Sequence, residues 1–130
     1  MELSNAPGAV TLALHTNDFD AAMRFYSDIL GFVVDIDEWI GEGVIERPFR
    51  RLRLLLTEDG PLALEFLADG PAPAVGSPPV LSFVVADFPQ VLERFRSWAG
   101  QAIIDRETLP YGECLTIRDP SGNRLQVFST

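Results

Sequence analysis

An internal duplication is the feature that most constrains how this chain can fold. Two segments match at an offset of 69 residues, and each reads as a strand that ends at an aspartate, Asp18 in the first copy and Asp87 in the second. A short carboxylate at such a place accepts from the free amides of the first helical turn, so both aspartates are predicted to be N-caps. Gly31 and Gly100, again 69 residues apart, are predicted to end the two helices. The chain is therefore predicted to fold as two similar modules.

The two predicted helices carry apolar residues at matching positions with helical spacing. In the first copy these are Phe19, Ala22, Met23, Tyr26, Ile29 and Leu30, and in the second Phe88, Val91, Leu92, Phe95, Trp98 and Ala99. A helix with a single apolar stripe lies on one face of a sheet. The agreement of cap, stripe and terminal glycine indicates a true repeat.

Three further strands are predicted after each helix, which gives each copy the order β-α-β-β-β. They cover residues 32–37, 51–57 and 62–67, then 102–106, 114–118 and 124–129, and a longer loop covers 38–49. We predict a single α+β domain over residues 1–130, with module one at about 9–69, a Pro/Gly linker at 70–79 and module two at about 80–130. Its two tandem βαβββ modules are expected to form a curled mixed sheet around a cavity, with the helices on the outside.

Alternation along the strands separates an apolar face from a mixed face. The apolar face, predicted to pack under the helices, contains Leu12, Leu14, Leu62, Leu64, Phe66, Leu81, Phe83, Leu125 and Val127. The mixed face contains Thr11, Ala13, His15, Arg51, Arg53, Ala63, Glu65, Val80, Ser82, Cys114, Thr116 and Gln126. A core strand needs no amide such as that of Gln126, so the mixed face is predicted to line a binding cavity.

The charge of the chain narrows the classes of partner. It has 10 basic and 19 acidic residues, a net charge of −9, which argues against nucleic acid and anionic membranes and is compatible with a cationic partner or with plain solubility. One cysteine, Cys114, allows no internal disulfide and no cysteine-based zinc site. The apolar runs are too short to cross a bilayer, and the N-terminus lacks the pattern of a signal peptide, so we expect a cytoplasmic protein.

The layout resembles the vicinal oxygen chelate superfamily, which is also called the glyoxalase/bleomycin resistance/dioxygenase superfamily. The resemblance is carried by Asp18-Phe19, Phe25-Tyr26 and Leu30-Gly31-Phe32 in the first copy, and by Asp87-Phe88 and Asp119-Pro120-Ser121-Gly122-Asn123 in the second. It covers about residues 9–130. It implies a fold rather than an activity, because the superfamily contains lyases, dioxygenases, epimerases, thiol transferases and metal-free antibiotic-binding proteins.

The resemblance also implies four positions for metal ligands, on the first and last strands of each module. In this chain those positions are Thr11, Glu65, Val80 and Gln126. Valine cannot coordinate a metal, threonine is a poor neutral ligand, and a divalent ion normally takes three or four protein ligands. We therefore expect no cofactor; the alternative is a divalent metal held by Glu65 and Gln126.

Seven residues are predicted to line the ligand cavity: His15, Trp39, Arg53, Glu65, Tyr111, Thr116 and Gln126. Glu65 either forms an ion pair with Arg51 or Arg53, or acts as a metal ligand or a general base. His15 is either catalytic or a strand-end histidine bonded to an acid. Trp39 is predicted to lie in the long loop, as a lid over the cavity or packed at a strand end. Tyr111 is placed at the cavity mouth by the resemblance.

The sequence is compatible with three functions. The first is a metal-independent protein that binds a small cationic or aromatic molecule between its modules. The alternatives are a metal-dependent lyase or dioxygenase of the same superfamily, and a metal-free enzyme with His15 or Glu65 as its base. A homodimer is expected, because the resemblance implies it, each half presents an open sheet edge, and the linker lets the halves swap between chains.

Overall fold

The predicted order of elements occurs twice in a computed structural model, which describes residues 10–44, 46–68, 73–74, 76–98 and 103–130. The strands are β1 (Val10–His15), β2 (Val33–Ile40), β3 (Phe49–Leu55), β4 (Leu62–Leu67), β5 (Leu81–Val85), β6 (Ile103–Leu109), β7 (Gly112–Arg118) and β8 (Arg124–Ser129). The first helix begins as α1 (Phe19–Met23) and continues as a π-helical segment (Arg24–Ile29), and the second is α2 (Phe88–Ser97).

The two modules have the same sheet topology. The strand order is β1-β4-β3-β2 in the first sheet and β5-β8-β7-β6 in the second. The first strand of each module runs parallel to the last, and the other neighbours are antiparallel. The predicted α+β class with two tandem βαβββ modules is confirmed. In the described part of the chain the two sheets stay separate and do not join into a closed barrel.

Both predicted N-caps are confirmed. Asp18 accepts from the amide of Ala21 and Asp87 from the amide of Gln90, each at 3.1 Å. Gly31 ends the first helix with a φ of 77°, a conformation that glycine adopts without the strain of a side chain. The matching glycine at position 100 lies outside the described residues, as do position 99 and positions 70–72 and 75 of the predicted linker.

The helices of the two modules pack against each other in one shared apolar core. The ring centroid of Phe25 is 5.7 Å from that of Phe95 and 6.2 Å from that of Trp98. Arg94 adds a hydrogen bond of 3.2 Å from its Nη1 to the carbonyl oxygen of Ile29. The apolar faces of both sheets lie against this core, so the mixed face of each sheet is on the side away from it.

A buried polar cluster also links the modules. The carboxylate of Asp119 accepts from the hydroxyl of Tyr26 at 2.6 Å, from Nδ2 of Asn123 at 2.8 Å and from the backbone amides of Ser121 and Asn123. Burial raises the pKa of Asp119, against the opposing effect of these hydrogen bonds. Burial also raises the pKa of Tyr26 well above its usual value, and the nearby charge of Asp119 adds to that. The predicted turn at 119–123 therefore also joins the two modules through buried hydrogen bonds.

The predicted strand ends are wrong in both hairpins. Strand β2 continues to Ile40 and β3 begins at Phe49, so the long loop spans 41–48 rather than 38–49. Gly41, Gly43 and Pro48 favour a loop over 38–49, but Arg50 donates to Asp37 across the hairpin at 2.8 and 3.1 Å, which extends the paired strands into this segment. In the second module β6 and β7 likewise extend to Leu109 and back to Gly112.

No helix in the described ranges is both long and apolar enough to cross a membrane.

Candidate functional site

We call the mixed faces of the two sheets the first and second open faces. On the first, Ala13 of β1 and Arg53 of β3 lie opposite Glu65 on its two sides. On the second, Ser82 and Thr116 stand in the same relation to Gln126. Glu65 and Gln126 thus occupy corresponding positions at the centre of their sheets.

Glu65 is engaged in an ion pair. Its Oε1 accepts from Nε of Arg51 at 2.9 Å, and this hydrogen bond raises the pKa of Arg51. The sequence offered both Arg51 and Arg53 as partners, and the structure selects Arg51, which lies diagonally across from Glu65 on the neighbouring strand. Arg53, directly opposite Glu65, has Asp35 near its Nε at 3.5 Å.

Gln126 is engaged more weakly. Its amide oxygen accepts from the hydroxyl of Ser82 at 3.1 Å, at an exposed position. Thr116 lies beside it and is half-buried, whereas Cys114 on the same strand is buried. Burial raises the pKa of the Cys114 thiol, and the carboxylates of Glu107 and Asp105 add to the effect, so this cysteine is a packed residue and not an activated nucleophile.

The four positions that the resemblance assigns to metal ligands do not fit a divalent ion. Thr11 lies opposite Ala63, and Val80 offers no coordinating side chain. Glu65 is bound to an arginine and Gln126 to a serine. Among the described residues, no three His, Cys, Asp or Glu side chains come together in a way that could hold a metal.

His15 and Arg53 each have a buried side-chain nitrogen that forms no hydrogen bond among the described residues. His15 Nε2 bonds Oδ1 of Asn17 at 2.8 Å, so its partner is an amide and the predicted acid is wrong. Nδ1 of His15 and Nε of Arg53 are the buried side-chain polar atoms that lack a hydrogen bond within the described ranges. Both belong to the first open face. A buried polar atom left unpaired costs about 1–3 kcal/mol, so such atoms indicate where a ligand or water completes the bonding.

Trp39 and Tyr111 lie apart from these residues. Trp39 belongs to strand β2, not to the loop as predicted, and it lies opposite Arg50 on the helix-bearing side of the sheet. Tyr111 is 73% exposed in the turn between β6 and β7. The structure therefore brings Glu65, Arg53 and His15 together on one face, Gln126 and Thr116 on another, and Trp39 on neither.

Two cavities open at the same end of the first sheet. A cavity of about 320 Å³ lies on the first open face, lined by Ile40, Phe49, Arg51, Glu65 and Leu67 among others. A larger one of about 740 Å³, here called the hairpin cavity, lies between the β2–β3 hairpin and the start of α1. Sequence reasoning missed Ile40 and Phe49, although their alternation with Trp39 and Arg50 is a strand signal, because Gly41, Gly43 and Pro48 between them favour a loop.

The chain belongs to the Glyoxalase/Bleomycin resistance protein/Dioxygenase superfamily, because the model of this family matches residues 8–127. This confirms the resemblance seen in the sequence. No curated protein gives a significant match to the chain.

Solved structures share the fold at low sequence identity. UcmS2 is 24% identical, with 98% of each chain covered and a TM-score of 0.70. TnmS3, an antibiotic binding protein from Streptomyces sp. CB03234, is 19% identical over 99% of this chain and 98% of that one, with a TM-score of 0.66. Lactoylglutathione lyase from Agrobacterium tumefaciens is 22% identical over 97% and 96%, with a TM-score of 0.59. At these identities the likeness shows the fold alone.

Proposed function

We propose that this protein binds a small organic molecule on its open faces, without a metal. The observation that carries the proposal is the buried Nδ1 of His15, which has no hydrogen-bond partner among the described residues, together with the buried Nε of Arg53, which forms no hydrogen bond and has only a charge contact with Asp35 at 3.5 Å; both lie on the face whose centre is Glu65. Ordered polar atoms with unused hydrogen-bonding capacity, beside apolar surface, are what a small-molecule site needs. Similarity to an antibiotic binding protein, TnmS3, supports a binding role.

The chemistry of Glu65 favours binding over catalysis. Its Oε1 already accepts from the guanidinium of Arg51 at 2.9 Å, so this oxygen is not free to take a proton from a substrate. Because this oxygen is bound to Arg51, it is not available to coordinate a metal ion. We therefore assign Glu65 the role of holding Arg51 in place at the wall of the smaller cavity.

The ligand is proposed to be aromatic or cationic and to meet the first open face of one copy of the chain and the second open face of another, because both open faces of one copy point away from its shared core. The second open face offers the amide of Gln126 and the hydroxyls of Ser82 and Thr116, next to the apolar Val84. Val84 is 61% exposed and leaves apolar surface on this face. We propose that a second copy of the chain covers it, so that a cytoplasmic homodimer closes the cavity.

The first test is the metal content of the purified protein. The protein is incubated with Mn, Fe, Co, Ni and Zn, desalted and measured by elemental analysis. We expect far less than one metal per chain. Near-stoichiometric metal would contradict the metal-free proposal and favour the lyase or dioxygenase alternative.

Ligand binding is tested by a thermal-shift screen of cationic and aromatic small molecules, with and without EDTA. A hit should stabilise the wild type equally in both conditions and should lose most of its effect in Arg53→Gln. The matched control is Arg96→Gln on the exposed side of α2, which should leave the hit unchanged. Stabilisation that EDTA abolishes, or that survives Arg53→Gln in full, would contradict the assigned site.

A further inference from the structure

Two arginines lie side by side on the second open face. Arg118 ends β7 and Arg124 begins β8, and the two residues are direct partners in the register of this hairpin. They come two residues along from the partners Thr116 and Gln126, so strand alternation puts them on the same face. Directly opposite side chains have Cβ atoms about 5 Å apart, and like charges at such positions repel. The hairpin therefore holds two positive charges close together.

No carboxylate offsets this repulsion within the described ranges. The chain has 19 acidic residues, and its 10 basic residues are all arginines. In the part of the chain that the structure describes, the arginines in ion pairs with carboxylates are Arg50, Arg51, Arg53, Arg96 and Arg106. The acid next to the pair, Asp119, is 4% exposed, and its carboxylate is turned inwards to Tyr26. In so acidic a chain, an arginine pair without such a partner indicates that its counter-charge comes from outside.

The two acids of the same face lie towards its other end. Asp105 and Glu107 belong to the edge strand β6. Burial, and after it the carboxylates of Glu107 and Asp105, raise the pKa of Cys114, which shows that their charge acts there. Cys114 is four residues from Arg118 on β7, or about 13 Å along the strand. The end of the face at Arg118 and Arg124 is therefore its basic end.

The surroundings of the pair suit an organic acid. Nη1 of Arg124 donates to the carbonyl oxygen of Ser77 at 3.2 Å, which fixes this guanidinium and leaves it further N–H donors. The amide oxygen of Gln126 accepts from Ser82, which leaves the amide nitrogen as a donor for a ligand. Val80, whose amide donates to the carbonyl oxygen of Arg124 at 2.9 Å, is 39% exposed and adds apolar surface.

We propose that Arg118 and Arg124 bind the acid group, carboxylate or phosphate, of an aromatic ligand. Guanidiniums are planar donor forks that match the paired oxygens of either group. This inference rests on the proposed function and narrows it. Of the two ligand classes proposed above it selects the aromatic one, with its acid group at the arginines and its ring against Val80 and Gln126.

The test is an NMR titration that observes the two side chains directly. The protein is labelled with ¹⁵N-arginine, and the Nε–Hε resonances of the pair are assigned with Arg118→Gln and Arg124→Gln. It is titrated with 2-naphthoate, 2-naphthyl phosphate, the neutral 2-naphthamide and inorganic phosphate. We expect saturable shifts of both resonances with the two aromatic acids, which should bind at least about fivefold more tightly than the amide or inorganic phosphate. The resonance of Arg96, on α2, should stay in place.

Arg118→Gln should weaken the aromatic acids about two- to fivefold, the size of an exposed charge pair, and should leave the amide unaffected. The matched control Arg96→Gln should change neither. Equal binding of the amide and the acids, or an equal loss in the two variants, would overturn the inference. Inorganic phosphate that binds as tightly as the aromatic acids would mark a site for free anions and would overturn the aromatic class.

A failure of this inference is distinguishable from a failure of the proposed function. No shift at Arg118 or Arg124 with any of the four probes would overturn the acid site. The proposed function is decided separately, by hits of the thermal-shift screen and their response to EDTA and to Arg53→Gln on the first open face.

Discussion

The two modules have one topology but different chemistry at corresponding positions. At the centre of the first open face Glu65 lies opposite Arg53 and is bound to Arg51, whereas in the second Gln126 lies opposite Thr116. The faces under the helices are apolar in both copies. The apolar faces under the helices maintain the duplicated fold, so the residues of the open faces can differ without loss of the fold. We therefore look for the function in the residues that differ between the two open faces.

The last turn of each module differs in the same way. The β3–β4 turn leaves Asp59 exposed, whereas the β7–β8 turn buries Asp119 under four hydrogen bonds. One aspartate is a turn residue only, and the other joins two modules.

The largest effect is expected from this pair of turns. Asp119→Ala should lower the free energy of unfolding by about 3 kcal/mol, because the Tyr26 hydroxyl and several amides lose a buried acceptor. Asp59→Ala should change it by no more than about 0.5 kcal/mol. Urea unfolding of both variants checks this. Similar losses of unfolding free energy in the two variants would show that the two turns contribute equally and that the hydrogen bonds of Asp119 between the modules add no stability.

Tyr26 provides the next test, through pH. Its pKa in the folded protein is raised above the ordinary value of 10.0, chiefly by burial, so the unfolded chain releases this proton first. The stability that the neutral phenol contributes is therefore complete below about pH 10 and is lost as pH rises towards the folded value, at a rate of up to about 1.4 kcal/mol per pH unit. Urea unfolding between pH 9 and 11 should show this loss, and Tyr26→Phe should lack it.

A direct measurement is possible because the chain has two tyrosines. In Tyr111→Phe the ultraviolet titration reports Tyr26 alone, and its midpoint should lie above pH 10. A midpoint at or below 10 would contradict the buried hydrogen bond to Asp119.

The next prediction tests whether a second copy of the chain covers the second open face. Val84→Asp places a carboxylate on the second open face and should weaken dimerisation at least about tenfold, since desolvating an unpaired charge costs well over 1 kcal/mol. The control is Val44→Asp, in the loop of the first hairpin, where the valine is 87% exposed. Sedimentation equilibrium compares the two. An unchanged dimer in Val84→Asp, or a monomeric wild type, would contradict the proposed arrangement.

The smallest effect on stability is expected at Gln126. Gln126→Met should change the free energy of unfolding by no more than about 0.5 kcal/mol, because the amide is half-buried and accepts from one exposed serine. The same variant should weaken any ligand found in the thermal-shift screen. A stability loss above about 2 kcal/mol would mean that Gln126 serves the fold and not the site.

The sequence predicted the helix caps and the strand alternation well, and the ends of the hairpin strands poorly. Asp18 and Asp87 were found because a cap is a local arrangement within four residues. Trp39 was placed in a loop because Gly41, Gly43 and Pro48 favour a loop over 38–49, whereas the pairing of Arg50 with Asp37 extends the two strands into that segment. The predicted boundaries of the modules and the predicted roles of the cavity residues stay predictions.

By itself the sequence determined the duplication, the order of the elements and the faces of the sheets, since each follows from periodicity over a few residues or from one copy matched to the other, and its motifs carried the resemblance to the family. Only the tertiary structure decided that Glu65 pairs with Arg51, that Trp39 lies on the side away from Glu65, and that Tyr26 reaches Asp119 across 93 positions. These choices depend on strand register and on how the two modules pack. Short-range patterns carry no information on either, because a pairing between distant residues is fixed only when the whole core closes around it.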